Sequence, residues 1–362
     1  MNSFGRIFRV TIFGESHGEC VGITIDGCPA GLSLSPEDLA ADLERRKGGK
    51  QKGTTPRQEE DFPIFKSGIF NGKTTGFPIT ILFENKNIRS EDYSKQRSIP
   101  RPGHADWVAH QKFGGYEDYR GGGHFSARLT AGIVAAGAIA KKLMRNHLTS
   151  PQTKILLSAS DAPSPLDREL EGEVLNQISI YAEVVEIGGE KDLEKGLQNA
   201  IDAKDSVGGI VECRVNGLPV GLGEPWFDSV ESVLAHLVFA IPAVRGVEFG
   251  TGFAAARMFG SEHNDAIVEM SGKTKTNHAG GVVGGITNGN ELVFRLAIKP
   301  TSSTPKEQES LNWDTEQVEK FSIKGRHDLC VALRAPVIVE AVAALVLVDF
   351  MMLEQKIPNV LS

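Results

Sequence analysis

The residues most able to do chemistry stand in short glycine-rich segments. Phe13-Gly14-Glu15-Ser16-His17-Gly18 sets a histidine at the end of a strand-like run, with a serine beside it. A capped turn accounts for the same residues, so His17 gains meaning only from its company. In Arg101-Pro102-Gly103-His104-Ala105-Asp106 a rigid Pro-Gly turn can hold the imidazole outward while Asp106 orients one ring nitrogen. With His110 added, His104 and Asp106 are also acceptable metal-ligand types, but no HExxH and no second HxD accompanies them, and no metal is expected. Residues 45–57 pack six cations into thirteen positions, a patch able to focus anionic small molecules in an otherwise acidic protein or simply to be solvated. Lys299-Pro300-Thr301-Ser302-Ser303 offers one cation and three hydroxyls, a set suited to a phosphate or a ring carbonyl. In Lys324-Gly325-Arg326-His327-Asp328 an arginine and a carboxylate stand two residues apart. Together these loops suggest acid–base work on a multiply anionic substrate, alongside a phosphate-bearing cofactor.

Two nucleotide signatures fail on spacing. Gly68-Ile69-Phe70-Asn71-Gly72-Lys73-Thr74 has three residues between its glycines where a P-loop needs four. The segment 280–285 lacks the GxGxxG spacing of a dinucleotide site. A formal charge of −7, from 46 acids against 39 Lys and Arg, argues against a general nucleic-acid binder. The most apolar stretch, 341–353, is interrupted by Asp349, so no membrane span is expected. Four scattered cysteines without a CxxC, and an N-terminus unlike a secretory signal, fit a reducing cytoplasm.

The elements that must position these loops are legible in part. Forty glycines in 362 residues, about 11% against the usual ~7%, fall in short clusters between apolar segments. Ser35-Pro36-Glu37-Asp38 starts a helix that ends in Arg45, Arg46 and Lys47 before Gly48. An alanine-rich run over 126–146 reads as a buried helix following the triple glycine 121–123, and further helices are expected over 190–204, 229–239 and 336–354. Strands are expected over 8–13, 22–25, 80–83, 210–215, 266–270 and 291–298. No βαβ rhythm connects them, which favours α+β with antiparallel sheets in one domain spanning 1–362. The stretches 48–53 and 304–321 look mobile, the second because it lacks apolar periodicity.

The segments FRVTIFGESHG, RPGHAD, YRGGG followed by SAR, NHAGG followed by GGI, KPTSS and GRHD occur in this order, and with them the chain closely resembles the chorismate synthase family from Phe4 to about Leu353. The resemblance implies an α+β sandwich of antiparallel sheets flanked by helices, assembled as a homotetramer. It implies a lyase that converts 5-enolpyruvylshikimate 3-phosphate to chorismate by 1,4-anti elimination of phosphate, using reduced FMN without net redox change. By resemblance His17 protonates the departing phosphate, His104 sits at flavin N1 and Asp328 near flavin N5. Ser16, Arg46, Lys52, Arg101, Ala127, Arg128 and Arg326 match substrate-binding positions. His124, Phe125, Ser126, Ala243, Gly284, Lys299, Pro300, Thr301, Ser302, Ser303 and Arg326 match FMN-binding positions. Three residues depart from the family pattern: His124 stands where an arginine is usual, Leu129 replaces a glutamate that could pair with Arg128, and Lys52 takes a position that is commonly arginine. Reduced flavin is expected from an external reductase or another source, since the chain has no dinucleotide fingerprint.

Overall fold

A computed structural model describes residues 2–49, 52–55, 59–86, 97–148, 178–323 and 327–361. The first sheet contains β1 (Ser3–Phe4), β2 (Arg9–Gly14), β3 (Cys20–Asp26), β4 (Ile64–Phe65) and β5 (Ile79–Glu84), antiparallel in the order β1-β2-β3-β5-β4. The second contains β6 (Ser179–Ile187), β7 (Gly209–Asn216), β8 (Val244–Phe249) and β9 (Leu292–Ile298), antiparallel in the order β8-β9-β7-β6. Period-two alternation gives each sheet one apolar face. Val21, Ile23 and Ile25 pair with Phe83, Ile81 and Ile79, and all six are buried. Leu292, Phe294 and Leu296 likewise pair with Val215, Cys213 and Val211. The next residue along, Glu212, faces the other way and pairs with Arg295 at 2.7 Å.

Two helices cover these faces. α3 (Thr130–Leu148) packs on the first sheet, the last helix (Pro336–Leu353, α6 below) packs on the second, and the two pack on each other. The helices flanking each sheet thus meet on its inner side and form the middle of the sandwich. Gly132 and Gly137 make this possible. Five residues of helix turn through about 140°, so one glycine meets Ile23 and Gly22 of the sheet while the other meets Ala341 of the helix. The helix Pro336–Leu353 is long and apolar enough to cross a membrane, yet 89% of it is buried inside the protein.

Further helices among the described residues include α1 (Glu37–Arg46), α2 (Asp106–Phe113), α4 (Leu193–Ala203) and α5 (Val230–Val238). Glu340, in the middle of α6, ties several elements together. It accepts from Arg45 at 2.8 and 2.7 Å, Lys141 at 2.9 Å and the Ala182 amide at 3.1 Å.

Two local expectations fail. Residues 266–270 form no strand. Ile267 makes only an isolated bridge to Thr274, and Ile267, Val268 and Met270 are exposed, so their β-branched pattern has no neighbouring strand to pack on. Residues 304–321 are anchored after all, as a hairpin of β10 (Gln308–Asn312) and β11 (Gln317–Phe321). Ser310 donates to the Pro100 carbonyl at 2.7 Å and the Trp313 amide to Ser98 O at 3.0 Å, so polar bonds replace the missing apolar contacts.

Candidate active site

A cavity of about 380 Å³ opens where the loops meet. Among the described residues its wall holds seven Lys and Arg against three Asp and Glu, in a chain of net charge −7. Arg46 reaches it because Leu39, Leu43 and Arg46, at i, i+4 and i+7, share the buried face of α1. Arg128 arrives on the 3-10 turn that opens α3, where Ser126 accepts from the Arg128 amide. Between them lies Asp61, its side chain fully buried, with Oδ2 accepting from Arg46 and Oδ1 from Arg128. Arg128 further donates to Asn85 Oδ1 at 2.9 Å and Glu84 O at 3.2 Å. The missing family glutamate at Leu129 therefore leaves Arg128 with a carboxylate partner, and Leu129 itself belongs to the apolar core.

Loop 101–106 forms a second fixed unit. Arg101 donates from Nε to Asp106 Oδ2 at 2.7 Å and from Nη2 to Oδ1 at 2.8 Å, while His104 Nδ1 lies 2.6 Å from the same Oδ1. Arg101 Nη2, which can only donate, lies 3.0 Å from the same nitrogen, but the Asp106 carboxylate, which only accepts, is nearer, and the proton of that bond is assigned to Nδ1. The segment 299–303 is stitched to this loop. Lys299 Nζ donates to Ser302 Oγ at 2.9 Å, Ser302 Oγ to Gly103 O at 2.7 Å, and Arg101 Nη1 to Ser303 Oγ at 3.3 Å. Burial, with Arg245 nearby, lowers the Lys299 pKa. Asp328 completes the ring. It accepts from the Thr55 amide at 2.8 Å and from Arg334 at 3.0 Å, and its carbonyl accepts from Thr301.

Burial alone would raise the Asp61 and Asp106 carboxyls, but the neighbouring cations and hydrogen bonds outweigh it and hold both below the usual range. A carboxyl depressed in the folded state stabilises the protein above its unfolded pKa, near 3.9, and that stability is lost as pH falls through the folded value. Urea unfolding is therefore expected to give a free energy that is flat between about pH 7 and 5 and falls below about pH 4. Asp106→Asn should flatten part of that fall, and an unchanged acid limb would contradict it.

Of the residues that the family resemblance assigns to a site, Arg46, Arg101, His104, Phe125, Ser126, Ala127, Arg128, Ala243, Lys299, Thr301, Ser302, Ser303 and Asp328 line this cavity. Others stand elsewhere. His17 and Ser16 are buried directly behind the wall residue Gly121: a Cβ on that glycine would lie 2.6 Å from His17 Nε2 and 3.1 Å from Ser16 Oγ. His124 points its Nδ1 at the Gly14 carbonyl, 2.9 Å away, and Lys52 donates to Gln198 at 2.9 Å. Pro300 is exposed beside the cavity, Gly284 is exposed on a turn, and Arg326 lies outside the described residues. His110 pairs with Glu117 at 3.2 Å and stacks on Trp313, and among the described residues no three His, Cys, Asp or Glu side chains converge as a metal set.

Gly121 also has φ +61°, a region costly for other residues. Gly121→Ala is expected to displace His17, cutting kcat by about tenfold or more and stability by about 1–2 kcal/mol. A wild-type kcat in the folded variant would show that His17 does not act through this wall.

Sequence reasoning missed Asp61, Arg245 and Arg334. Arg334 leaves a usable trace, being the last cation before the α6 helix begins at Pro336, but Asp61 and Arg245 carry no local signal.

A two-sheet α+β frame whose loops surround a cationic cavity, with the His104 imidazole and the Asp328 carboxylate held in its wall, is the arrangement of a site for acid–base chemistry on anionic ligands. Comparison narrows the class. The family model for chorismate synthase matches residues 8–352. Chorismate synthase of Chitinophaga pinensis is 64% identical over 356 residues, covering 98% of each chain, and that of Dehalococcoides mccartyi is 44% identical over 364 residues, covering 100% of this chain and 99% of its own. A crystal structure of chorismate synthase aligns with TM-score 0.66 at 26% identity, covering 97% of this chain and 93% of the other. The chain belongs to the chorismate synthase family, lyases of the last shikimate-pathway step that require reduced FMN.

Proposed function

We propose that this cavity carries out the family's 1,4-anti elimination of phosphate from 5-enolpyruvylshikimate 3-phosphate, with the work divided among its own residues as follows. The observation that carries the reading is the cation excess of the cavity, which suits a substrate bearing one phosphate and two carboxylates. Arg46, Arg101, Arg128 and Arg326 hold the substrate, with Ser16, Lys52 and Ala127 contributing around them. Lys299, Arg245 and the hydroxyls of Ser302 and Ser303 form a donor set without a carboxylate among them, which fits a phosphate-bearing cofactor. His124, Phe125, Ser126, Ala243, Gly284, Pro300, Thr301 and Arg326 are assigned to the same cofactor. When bound there, reduced FMN supplies an electron-rich ring that eases departure of the phosphate.

His104, with Nδ1 committed to Asp106, leaves Nε2 as the ring nitrogen that would serve N1 of a bound flavin. Asp328, held by Thr55 and Arg334, is the carboxylate that would serve its N5. His17, which stands behind the side-chain-free wall residue Gly121, is assigned the proton of the leaving phosphate on the family resemblance.

The assembly is proposed to be a homotetramer. Trp226, Phe227, Phe253, Phe259 and Met270 are each 78–91% exposed, on segments joined by contacts between Gly223 and Gly285 and between Gly250 and Gly280, and such apolar surface favours association. Reduced flavin is proposed to come from a separate reductase. Four free thiols support a reducing compartment, the cytoplasm.

The test is to mix the purified protein anaerobically with reduced FMN and the substrate and follow phosphate and chorismate together. Equal release of both, absent with oxidised FMN, is expected. If neither appears while flavin and substrate bind, the protein is a flavin or phosphometabolite binder. Aerobic turnover with FMN and NADPH alone would overturn the separate reductase.

A further inference from the structure

The geometry points to Asp61 as the positioning residue that sets the spacing and orientation of the two substrate-facing guanidiniums, Arg46 and Arg128. This inference rests on the reading that the cavity holds the anionic substrate. The Asp61 side chain is fully buried at the back of the cavity, and each of its oxygens accepts from a different arginine, so it acts on a ligand through those two guanidiniums. Both arginines are themselves 4% exposed. Two buried guanidiniums side by side repel, and Arg46 indeed lowers the Arg128 pKa on top of the larger effect of burial. One shared carboxylate offsets that repulsion and leaves the trio a net single positive charge.

The trio is also locked from outside. Arg128 is held by Asn85 and the Glu84 carbonyl, while Arg46 has a long bond of 3.3 Å to Thr130 and a buried Nε with no hydrogen-bond partner. Arg46 is therefore oriented chiefly through Asp61. The residue takes an unusual backbone, φ +50°, which an aspartate tolerates better than most and which the surrounding contacts must enforce. A carboxylate placed this way does not add to substrate attraction, since it subtracts charge. What it adds is orientation, and orientation acts on the reacting complex more than on binding.

The experiment compares kcat and KM for 5-enolpyruvylshikimate 3-phosphate in the wild type, Asp61→Asn and Asp61→Glu, with reduced FMN under anaerobic conditions. Asp61→Asn keeps the shape but loses the charge. Its kcat is expected to fall by about tenfold or more while KM changes by less than about threefold, because the added net positive charge offsets the lost geometry. Asp61→Glu keeps the charge on a longer arm and is expected to lie between the two in kcat with KM unchanged. Wild-type kcat in folded Asp61→Asn, or a rise in KM with kcat untouched, overturns the proposal. If Asp61→Asn does not fold, Asp61→Glu carries the test, and a wild-type kcat in that variant overturns it. Failure of the wild type itself to turn over would instead sink the functional reading.

Discussion

His104→Ala is expected to lower kcat by about 10²- to 10⁴-fold, the range for removing a general acid–base group, with little change in stability. The ring is partly exposed to the cavity, so its loss leaves no large void in the core. What disappears is a proton site whose direction is set by Asp106, itself clamped by three bonds from Arg101. Asp106→Asn keeps the ring but removes the charge that orients it, so a smaller loss is expected. Because Asp106 acts partly through His104 and partly through Arg101, the loss in the double variant should be smaller than the product of the two single losses. Steady-state kinetics with reduced FMN in excess checks both statements. A His104→Ala kcat within about threefold of wild type would remove the imidazole from the mechanism.

Asp349→Ala is expected to cost about 2–4 kcal/mol, read as a shift in the urea midpoint at constant slope. Asp349 is 5% exposed on the apolar α6 helix. Its Oδ2 accepts from the Arg6 amide at 2.9 Å, and its Oδ1 accepts from the Ile7 and Phe8 amides at 2.8 Å each. These bonds fix the entry to β2 against the central helix and set where Phe8 and Val10 enter the core. Removing the carboxylate leaves the Phe8 amide buried without its acceptor, which costs more than the bond itself contributes. Asp349→Leu adds apolar area to an apolar helix and is nevertheless expected to destabilise for the same reason. An Asp349→Leu protein as stable as wild type would mean that the three amides find other partners.

The sequence by itself carried the elements whose signals are local. The N-terminal acids and C-terminal cations of α1, the period-two faces of β3, β5, β7 and β9, and the long apolar run of α6 all follow from neighbours a few residues apart. The charge of the cavity was also legible, because Arg101, Lys299 and the 45–57 patch announce cations on separate loops. Asp349 was readable as an interruption of an apolar run, but its three amide partners lie more than 340 residues away. Strands β6 and β8 escaped notice because β6 mixes charged with apolar residues on an edge, and β8 has Arg245 and Gly246 inside it.

Tertiary structure alone decided the rest. It sent Lys52 to Gln198 and His124 to Gly14 although both sit within promising motifs, and it set His17 behind a glycine instead of in the open cavity. It also selected Asp61, an aspartate in a run of acids with no motif around it, as the partner of two arginines 15 and 67 residues away. The physical reason is one of range. Backbone propensity and apolar periodicity act over a turn or two of chain, whereas the direction of a buried charge is fixed by whichever opposite charge the packed sheets and helices bring within about 3 Å.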